Sequence, residues 1–465
     1  MIKIGKIIPL ALVVLMGIGC SKDNVVNSGT AASTETFTGD ENSDFVENET
    51  WSSSISIVWN GTDVTVTGAA DGVTVTHSNG YVTVQSTVKH IEYVISGSGT
   101  GQLSIYSDYK FKLSFEGLTL ACSDGPAINN QCHKTCYAVL GGTNTLSDGS
   151  SYASSSEDRK AAFFSEGQIC VSGPGSLNIT GNYKHALASD DYIRLCSGTG
   201  TIDLTAKVND GLHANDGIII NDGTLSVTAK DECLRTDTNA IVITGGMITA
   251  ISQSEAIESK GTILISGGQV YAQATDDAIN AGSDLTISGG YVMAYSTGND
   301  GIDANGNCYI KGGVVYAIGA KSPELGIDAN SEEQKKLYVE GGTLVAIGGL
   351  ESGASLTQTC YSASSLSKGT WYALYSDGEA ALVFKTPSSF TASTFVVSTS
   401  GTTTLQSAVT TSGGSSILNG YVMTGATLSG GSSVTLSTYS GGNAGGGPGG
   451  GGPGGGGHGG GPGGW

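Results

Sequence analysis

The sequence is poor in basic residues. It contains 21 Lys and Arg against 41 Asp and Glu, which gives a formal net charge of −20 at pH 7 over 465 residues. A nucleic-acid-binding protein needs a cationic face for the phosphates, so this charge argues against that class of partner. It fits a partner that is neutral or cationic, or an anionic partner that divalent cations bridge to the protein.

The centre of the chain has no helical period, and the 73 Gly residues do not follow the Gly-X-Y period of collagen. Apolar residues there alternate with a step of two, which is typical of β-strands. The leucine-rich repeat signature of Leu and Asn is also missing. The sequence therefore predicts an all-β fold with many tight turns between short strands.

An internal repeat of about 22 to 25 residues runs through this central part. One register is a glycine, and the other is an apolar residue that we call the anchor. The anchors are Leu187, Leu212, Leu234, Ile257, Ile279, Ile302 and Ile327, and the glycines are Gly175, Gly200, Gly223, Gly246, Gly268, Gly290, Gly313 and Gly342. Three short strands in each repeat predict one coil of a parallel β-solenoid, whose equivalent residues stack about 4.8 Å apart.

The N-terminus has the layout of a bacterial lipoprotein signal. Lys3 and Lys6 precede an apolar run that is too short to span a bilayer and that ends at Cys20. We expect residues 1–20 to be the signal peptide and Cys20 to carry the lipid anchor. The anchor would be the only membrane contact of a monomeric protein at the outer membrane or cell surface.

The rest of the chain divides by composition. The last stretch is nearly all Gly with some Pro, so it cannot bury apolar surface and is expected to be disordered. The predicted parts are a linker at 21–50, a parallel β-helix with an N-terminal cap at 51–350, a small C-terminal β unit at 351–440 and a Gly-rich tail at 441–465.

Eight cysteines follow Cys20. An even number in an exported protein permits disulfides without proving them. The Cys-His-Lys-Thr-Cys segment that begins at Cys132 is a weak zinc signal, and a local disulfide or free thiols fit it better. Cys170, Cys233 and Cys308 fall at positions of the repeat that predict small core residues.

Acidic residues recur in the turn before each anchor. Stacked coils would place their carboxylates about 5 Å apart, where like charges repel by about 1 kcal/mol in water. Calcium takes six to eight oxygen ligands, so the sequence predicts calcium there; the alternative is a solvated acidic edge in which Asp and Asn serve turn geometry. The two predicted calcium clusters are Asp276, Asp277, Asp300 and Asp303, and Asp210, Asp231 and Glu232.

Tyr271, Tyr295 and Tyr316 lie on the outward side of the strands that follow the glycine register. Aromatic faces stack on sugar rings, which makes these three tyrosines candidate carbohydrate-binding residues. A contiguous apolar strip usually marks an interface of some kind. We therefore favour the alternative that the C-terminal unit covers them.

The segment Asp300–Gly306 (DGIDANG), the following Gly312–Ala317 (GGVVYA) and the Gly-Pro-rich tail resemble a known family. They are similar to the secreted carbohydrate-binding β-helix proteins, which are bacterial relatives of calcium-dependent pectate lyases. The resemblance covers about residues 115–350 and the tail. It implies a right-handed parallel β-helix, calcium in acidic turns, and binding to a pectate-like or cellulosic plant-type polysaccharide.

Three functions remain open from the sequence. We favour a non-catalytic surface lipoprotein that binds an acidic polysaccharide through calcium. A polysaccharide lyase would need a base with a depressed pKa, and the basic residues near the acids, Arg235, Lys260 and Lys184, are surrounded by carboxylates that act in the opposite direction; we assign no catalytic residue. A structural or adhesive surface protein is the third alternative.

Overall fold

The structure is a computed structural model that describes residues 37–40, 42–363 and 365–441. The predicted signal peptide with Cys20 and all but the first residue of the predicted Gly-rich tail lie outside these residues. The helices of the described part are short 3₁₀ segments at Val46–Asn48, Ser331–Glu333 and Leu418–Gly420. None of the described helices is long and apolar enough to cross a membrane.

A parallel β-solenoid of about ten turns forms the main body of the fold, as the repeat predicts. Each regular coil has a first strand, a glycine bend, a second strand, a turn and a third strand. The first strands are Ser53–Gly61, Ile91–Thr100, Phe111–Ala121, Cys136–Gly141, Ile169–Ser172, Tyr192–Leu195, Gly217–Ile220, Ala240–Ile243, Thr262–Ile265, Leu285–Ile287, Cys308–Ile310, Leu337–Val339 and Ser355–Leu356.

The second strands stack beside the first ones, and the third strands form a separate parallel sheet. The second strands are Thr143–Ser147, Ser176–Gly181, Thr201–Ala206, Thr224–Ala229, Met247–Ser252, Gln269–Ala274, Tyr291–Ser296, Val314–Ile318 and Thr343–Ile347. The third strands are Tyr81–Ser86, Leu103–Ser107, Ile128–Asn130, Ala161–Ser165, His185–Ser189, Leu212–Ala214, Leu234–Thr236, Ile257–Ser259, Ile279–Ala281 and Ile302–Ala304.

The anchors stack one above another through the whole solenoid. Leu187 pairs with Leu212, and the column continues through every predicted anchor to Ile327 and then to Leu350. All the anchors are buried in one continuous apolar core. The predicted register is therefore confirmed, and equivalent apolar residues of successive coils stack to form the core.

The glycine register marks the bend between the first and second strands. Gly268 has φ +81°, and a Cβ there would lie 2.7 Å from the backbone oxygen of Gly245 in the coil below. An L side chain is disfavoured by both the backbone conformation and the close approach. In two earlier coils, the positive φ falls at Gly173 and Gly198 instead, two residues before the predicted glycines.

Part of the predicted linker packs on the solenoid. Asp44 is fully buried, and its Oδ2 lies 2.8 Å from Nε of Arg194. Phe45, Val46 and Trp51 pack against a small cluster that includes Cys170 on the outward side of the first strands. The linker prediction did not anticipate these long-range contacts, which cover an apolar part of the solenoid surface.

An antiparallel sheet follows the solenoid. It consists of Trp371–Ser376, Glu379–Lys385, Thr403–Ser412, Ser415–Ile417, Val422–Thr424 and Thr427–Val434. Phe395–Ser398 pairs antiparallel with the last second strand, Thr343–Ile347, and Cys360–Ala363 pairs with both Phe395–Ser398 and Leu436–Tyr439. At the other end, Asp63–Thr67 and Val73–Ser78 form antiparallel pairs with the opening strands.

The eight described cysteines are free and buried. Cys233 and Cys308 belong to the main core, as predicted. Cys170 does not, because it faces outward and is covered by the N-terminal segment. Cys132 and Cys136 are also core residues rather than a disulfide.

Candidate functional site

An acidic row crosses the solenoid at the turn that enters the third strands. We use this name for Asp210, Glu232, Glu255, Asp277 and Asp300, each two residues before an anchor. Four of these side chains are buried, with residue exposures of 2% for Asp210, 4% for Glu232, 5% for Asp277 and 7% for Asp300. A buried carboxylate is costly unless it is paired or hydrogen-bonded, so the partners of the row decide its chemistry.

The row is partly a framework between coils. Oδ1 of Asp277 accepts a hydrogen bond from the amide of Asp300 at 2.8 Å, and Oδ1 of Asp300 accepts one from the amide of Leu325. Oδ1 of Asp210 accepts the amide of Glu232 in the same way at 3.3 Å. One oxygen of each of these three aspartates therefore holds the next coil, and the second oxygen remains for another partner.

Basic side chains compensate the earlier half of this acidic region. Nη1 of Arg235 lies 2.8 Å from Oε2 of Glu258 and 3.2 Å from Oε2 of Glu232. Lys260 forms an ion pair with Glu258, and Nε of Arg235 lies 3.2 Å from Asp237. Burial lowers the pKa of Arg235, but the carboxylates of Glu258 and Glu232 outweigh it and raise that pKa above its usual range.

The later half lacks such compensation. Among the described side chains, no Lys, Arg or His nitrogen lies within 4.0 Å of the carboxylates of Asp277, Asp300, Asp303 or Asp328. Burial and the neighbouring carboxylates raise the pKa of Asp277 to about 9, that of Asp300 to about 8 and that of Asp303 to about 6. Near neutral pH, Asp277 and Asp300 therefore favour the protonated form unless a cation lies beside them.

The predicted calcium clusters differ in how tightly they converge. Carboxylate oxygens of Asp210, Asp231 and Glu232 all lie within 4.8 Å of one another. Within the described chain, no three carboxylates of Asp276, Asp277, Asp300 and Asp303 meet that limit. Asp276 is exposed and accepts a hydrogen bond from Asn299 at 2.7 Å. An ion bound by the cluster of Asp276, Asp277, Asp300 and Asp303 would have to draw these carboxylates closer together.

The three candidate sugar-binding tyrosines are inside the molecule. Residue exposure is 1% for Tyr271, 7% for Tyr295 and 0% for Tyr316. They pack against the C-terminal sheet in one apolar cluster, where the ring of Tyr316 meets that of Phe384 at a centroid distance of 5.2 Å. The favoured alternative, that the C-terminal unit covers these tyrosines, is therefore confirmed, and their interpretation as a surface platform for sugars is corrected.

A cavity of about 360 Å³, which the repeat pattern does not predict, lies beside the opening coils. Its lining combines three lysines, His90 and Glu49 with two large aromatic rings. Four first strands begin in register, at Ser53, Ile91, Phe111 and Cys136. In each of these coils, the residue two positions before the strand lines the cavity. These four lining residues are Trp51, Lys89, Tyr109 and Lys134.

The cavity alternates aromatic and cationic groups from coil to coil. Nζ of Lys89 lies 4.9 Å from the ring centroid of Tyr109, within the range of a cation–π contact. Lys110 is paired with Glu49, whereas Lys89 and Lys134 are exposed and without a carboxylate within 4.0 Å in the described structure. The signal in the sequence was a local group of lysines in a chain that has few basic residues.

Comparison with known proteins places the solenoid in a family. The family described as "Carbohydrate-binding domain-containing protein" matches residues 78–323, which is more than half of the chain. The chain belongs to this family. The matched region contains the whole acidic row and the lysines of the cavity, whereas Trp51 and the C-terminal sheet lie outside it.

One solved structure is similar to part of this carbohydrate-binding protein. It is titled "Structure of the polysaccharide lyase-like protein from C. thermocellum, Gadolinium derivative", with 19% sequence identity, 59% of this chain and 96% of that chain covered, and a TM-score of 0.39. No curated protein matches the sequence.

Proposed function

We propose that this carbohydrate-binding protein is non-catalytic and that it binds an acidic, pectate-like plant polysaccharide with the help of calcium. The observation that carries the proposal is a group of two buried carboxylates, Asp277 and Asp300, and two partly buried ones, Asp303 and Asp328, which have no cationic side chain beside them among the described residues. In a family of carbohydrate-binding proteins, an ion that satisfies these carboxylates can also receive the carboxylate of a uronic acid.

The donor set fits calcium. The second oxygens of Asp277 and Asp300, the carboxylates of Asp303 and Asp328 and the amide oxygen of Asn280 are all oxygen ligands, which calcium prefers. The amide nitrogen of Asn280 lies 3.4 Å from Oδ2 of Asp277, so the two side chains already meet. Calcium would supply positive charge and open coordination positions, and the protein side chains would fix where that charge lies.

The cavity at the opening coils supports the same class of ligand. Lys89 and Lys134 offer positive charge to a carboxylate, and the rings of Trp51 and Tyr109 offer apolar faces to the C–H side of a sugar. A chain with net charge −20 repels an acidic glycan over most of its surface. An acidic glycan would therefore dock at local positive charge, which this cavity and a calcium-bound acidic row would provide.

The basic residues near the row support a non-catalytic role. A lyase base must lose its proton near the operating pH and must reach the proton next to the uronate carboxylate. Arg235 contacts Glu232, Glu258 and Asp237, and these carboxylates hold its proton more firmly. Lys260 is paired with Glu258. Their positions fit structural ion pairs.

Retention on immobilised polygalacturonate tests the calcium proposal. The full chain should be retained with calcium and released by EDTA, and unsaturated uronate product should not form. Asp277→Asn with Asp300→Asn removes two charges but keeps an oxygen acceptor for the next coil, so it should weaken calcium-dependent retention and leave the fold intact. Asp71→Asn, an exposed acid outside the row, is the matched control. Retention that is indifferent to EDTA would refute the calcium proposal, and product formation would favour the lyase.

A separate pair of variants tests the cavity. Lys89→Ala with Lys134→Ala should reduce retention on polygalacturonate, and the loss should shrink at high salt because exposed charges are screened. Lys230→Ala, another exposed lysine, should leave retention unchanged. Equal retention of the cavity variant and this control would remove the cavity from the proposal.

We also propose that Cys20 carries a lipid and that the protein is held at the outer membrane or cell surface. Metabolic labelling with a radioactive fatty acid should mark the parent protein and should fail in Cys20→Ser. Labelling of both proteins would place the lipid elsewhere, and labelling of neither would reject the anchor.

A further inference from the structure

We propose that His185, Asp210 and His213 form a second metal site, which selects a transition metal of the zinc class and is distinct from the calcium proposed above. His185 occupies the acidic-row position in its own coil, two residues before the anchor Leu187. His213 follows the anchor Leu212 of the next coil. The solenoid repeat therefore brings two imidazoles to the carboxylate of Asp210.

The Nδ1 atoms of both histidines converge on one carboxylate oxygen of Asp210. Nδ1 of His213 lies 2.8 Å and Nδ1 of His185 lies 3.1 Å from Oδ2 of Asp210. The two imidazole rings stack with a centroid distance of 4.3 Å and an angle of 30°. Zinc binds imidazole nitrogen and carboxylate oxygen at about 2.0–2.2 Å, so a tetrahedral site places neighbouring ligand atoms roughly 3.3 Å apart. The observed distances are close to such ligand–ligand edges.

The contacts of His185 call for a proton or a metal ion between its ring and Asp210. The backbone amide nitrogen of Asp210 lies 3.3 Å from Nδ1 of His185, and this ring nitrogen carries a lone pair when the amide donates to it. The same nitrogen faces Oδ2 of Asp210 at 3.1 Å. Two lone pairs meet in that tautomer, whereas the other tautomer donates its Nδ1–H to Asp210. A metal ion on this side would convert their repulsion into coordination, at the cost of one long amide hydrogen bond.

A neighbouring carboxylate already orients one of the ligands. Nε2 of His213 lies 3.3 Å from Oδ2 of Asp237, and Asp237 is held in turn by Arg235 at 3.2 Å. Histidines that bind metals commonly donate their other ring N–H to a carboxylate, which fixes the tautomer and raises the basicity of the ligand. With Nε2–H given to Asp237, Nδ1 of His213 is the nitrogen that faces the metal position.

Glu232 lies next to the site, on the far side of Asp210, and would have to move toward the histidines to become a fourth ligand. A carboxylate oxygen of Glu232 lies within 4.8 Å of the ligand oxygens of Asp210 and Asp231. Oε2 of Glu232 is buried without a hydrogen bond, although it lies 3.2 Å from Nη1 of Arg235. The side chains of His185 and His213 keep 8% of their surface exposed, which leaves a path from solvent.

The donor set selects the class of metal. Two imidazoles with one or two carboxylates suit zinc, cobalt, nickel or copper, whereas calcium and magnesium take oxygen ligands. Asp210 therefore belongs with the histidines rather than with a calcium cluster. The later part of the row, with Asp277 and Asp300, has only oxygen donors and no histidine partner among the described side chains.

Cobalt is a suitable probe because its visible absorption reports the ligands and the geometry. The full chain, freed of metals with EDTA and then of EDTA, should bind one equivalent of Co²⁺ with a saturable visible band, and Zn²⁺ should displace the cobalt while Ca²⁺ should not. His185→Ala and His213→Ala should each abolish the band, and Asp237→Asn should lower affinity by about 10- to 100-fold.

Two controls separate this site from other places. His133→Ala removes an exposed imidazole next to two cysteines, and it should leave cobalt binding unchanged, as should Asp277→Asn with Asp300→Asn. The absence of a saturable band, or a band that survives in both histidine variants, would overturn the proposal. Because a histidine variant can misfold, X-ray absorption of the zinc-loaded parent protein gives an independent result: two imidazoles in the first shell support the site, and an all-oxygen or a sulfur shell rejects it.

Discussion

Asp277 and Asp300 occupy the same position in consecutive coils, and Oδ1 of Asp277 accepts the amide of Asp300 at 2.8 Å. The same carboxylate that links the coils is therefore also repelled by the next carboxylate of the row. This double role explains how acids persist at a buried place: the hydrogen bond stabilises the coil-to-coil contact, and the charge creates a demand for protons or a cation.

Without calcium, the stability of the protein should fall as the pH rises from 5 to 9. The pKa of Asp277 is raised to about 9 and that of Asp300 to about 8 in the folded chain, far above the value of about 3.9 in an unfolded chain. The folded state then binds more protons, so this contribution is complete below the unfolded pKa and is lost as the pH rises through the folded values.

Melting in EDTA across this pH range measures the effect. Four further acids face the pair and also raise its pKa values: Asp276, Asp303, Glu324 and Asp328. Asp277→Asn with Asp300→Asn should flatten the pH dependence, while Asp71→Asn should reproduce the parent. A melting temperature that rises steadily from pH 5 to 9 in the parent protein would contradict the assignment of these raised pKa values.

The hydroxyl of Tyr295 should matter for stability and not for sugar binding. It donates to the backbone oxygen of Ser389 at 2.9 Å, beneath the C-terminal sheet. Tyr295→Phe leaves that oxygen without its partner and should lower the free energy of unfolding by about 1 kcal/mol. Retention on polygalacturonate should be unchanged.

Tyr338→Phe is the matched control for this substitution. Tyr338 stacks on Tyr309 at a centroid distance of 4.9 Å, and its hydroxyl makes no hydrogen bond within the described residues, so its stability should stay near that of the parent. If Tyr295→Phe instead reduced retention while the melting temperature stayed constant, the surface interpretation of these tyrosines would return.

The anchor column should be highly sensitive to loss of volume. Ile257 is fully buried between Leu234 and Ile279. Ile257→Ala removes three carbon atoms, and strand pairing on both sides keeps the neighbouring residues from filling the cavity. We expect a loss of about 2–5 kcal/mol in urea unfolding. Val208→Ala, at a residue that is 43% exposed, should change stability by less than about 0.5 kcal/mol; similar losses in the two variants would mean that the column is not the core.

The buried thiols should be unreactive in the folded protein. Burial raises the pKa of the Cys233 and Cys308 thiols, and the thiolate is the form that attacks thiol reagents. Reaction with a chromogenic disulfide should therefore be slow for the eight cysteines from Cys122 to Cys360 and rapid after unfolding. A melting temperature that drops on addition of a reductant would reveal a structural disulfide instead.

The repeat could be predicted from the sequence because residues that are one period apart in a solenoid contact each other in adjacent coils. The spacing from Leu187 to Ile327 gives the stacking partners without any knowledge of distant segments, and the structure has the same register. The right-handed sense of the helix stays a prediction from the family resemblance.

The failures all concern contacts between distant parts of the chain. The repeat places Cys170 in the core, and alternation alone does not show that the N-terminal segment covers it on the outward side of its strand. The C-terminal unit covers Tyr316, as the sequence favoured. The cavity with Lys89 and Lys134 was missed for a related reason, because the opening coils vary in length and hide their register.

The strand Phe395–Ser398 has a consequence for the end of the solenoid. Every coil pairs its strands with the free backbone edge of the previous coil. A free edge at Thr343–Ile347 would therefore pair with a strand of another molecule as readily as with a further coil of the same chain. Phe395–Ser398 occupies that edge in the opposite direction and breaks the parallel order. This strand, which pairs with the solenoid and does not belong to the six-stranded C-terminal sheet, therefore closes the edge to another chain, and we expect a chain cut after Ile347 to polymerise end to end.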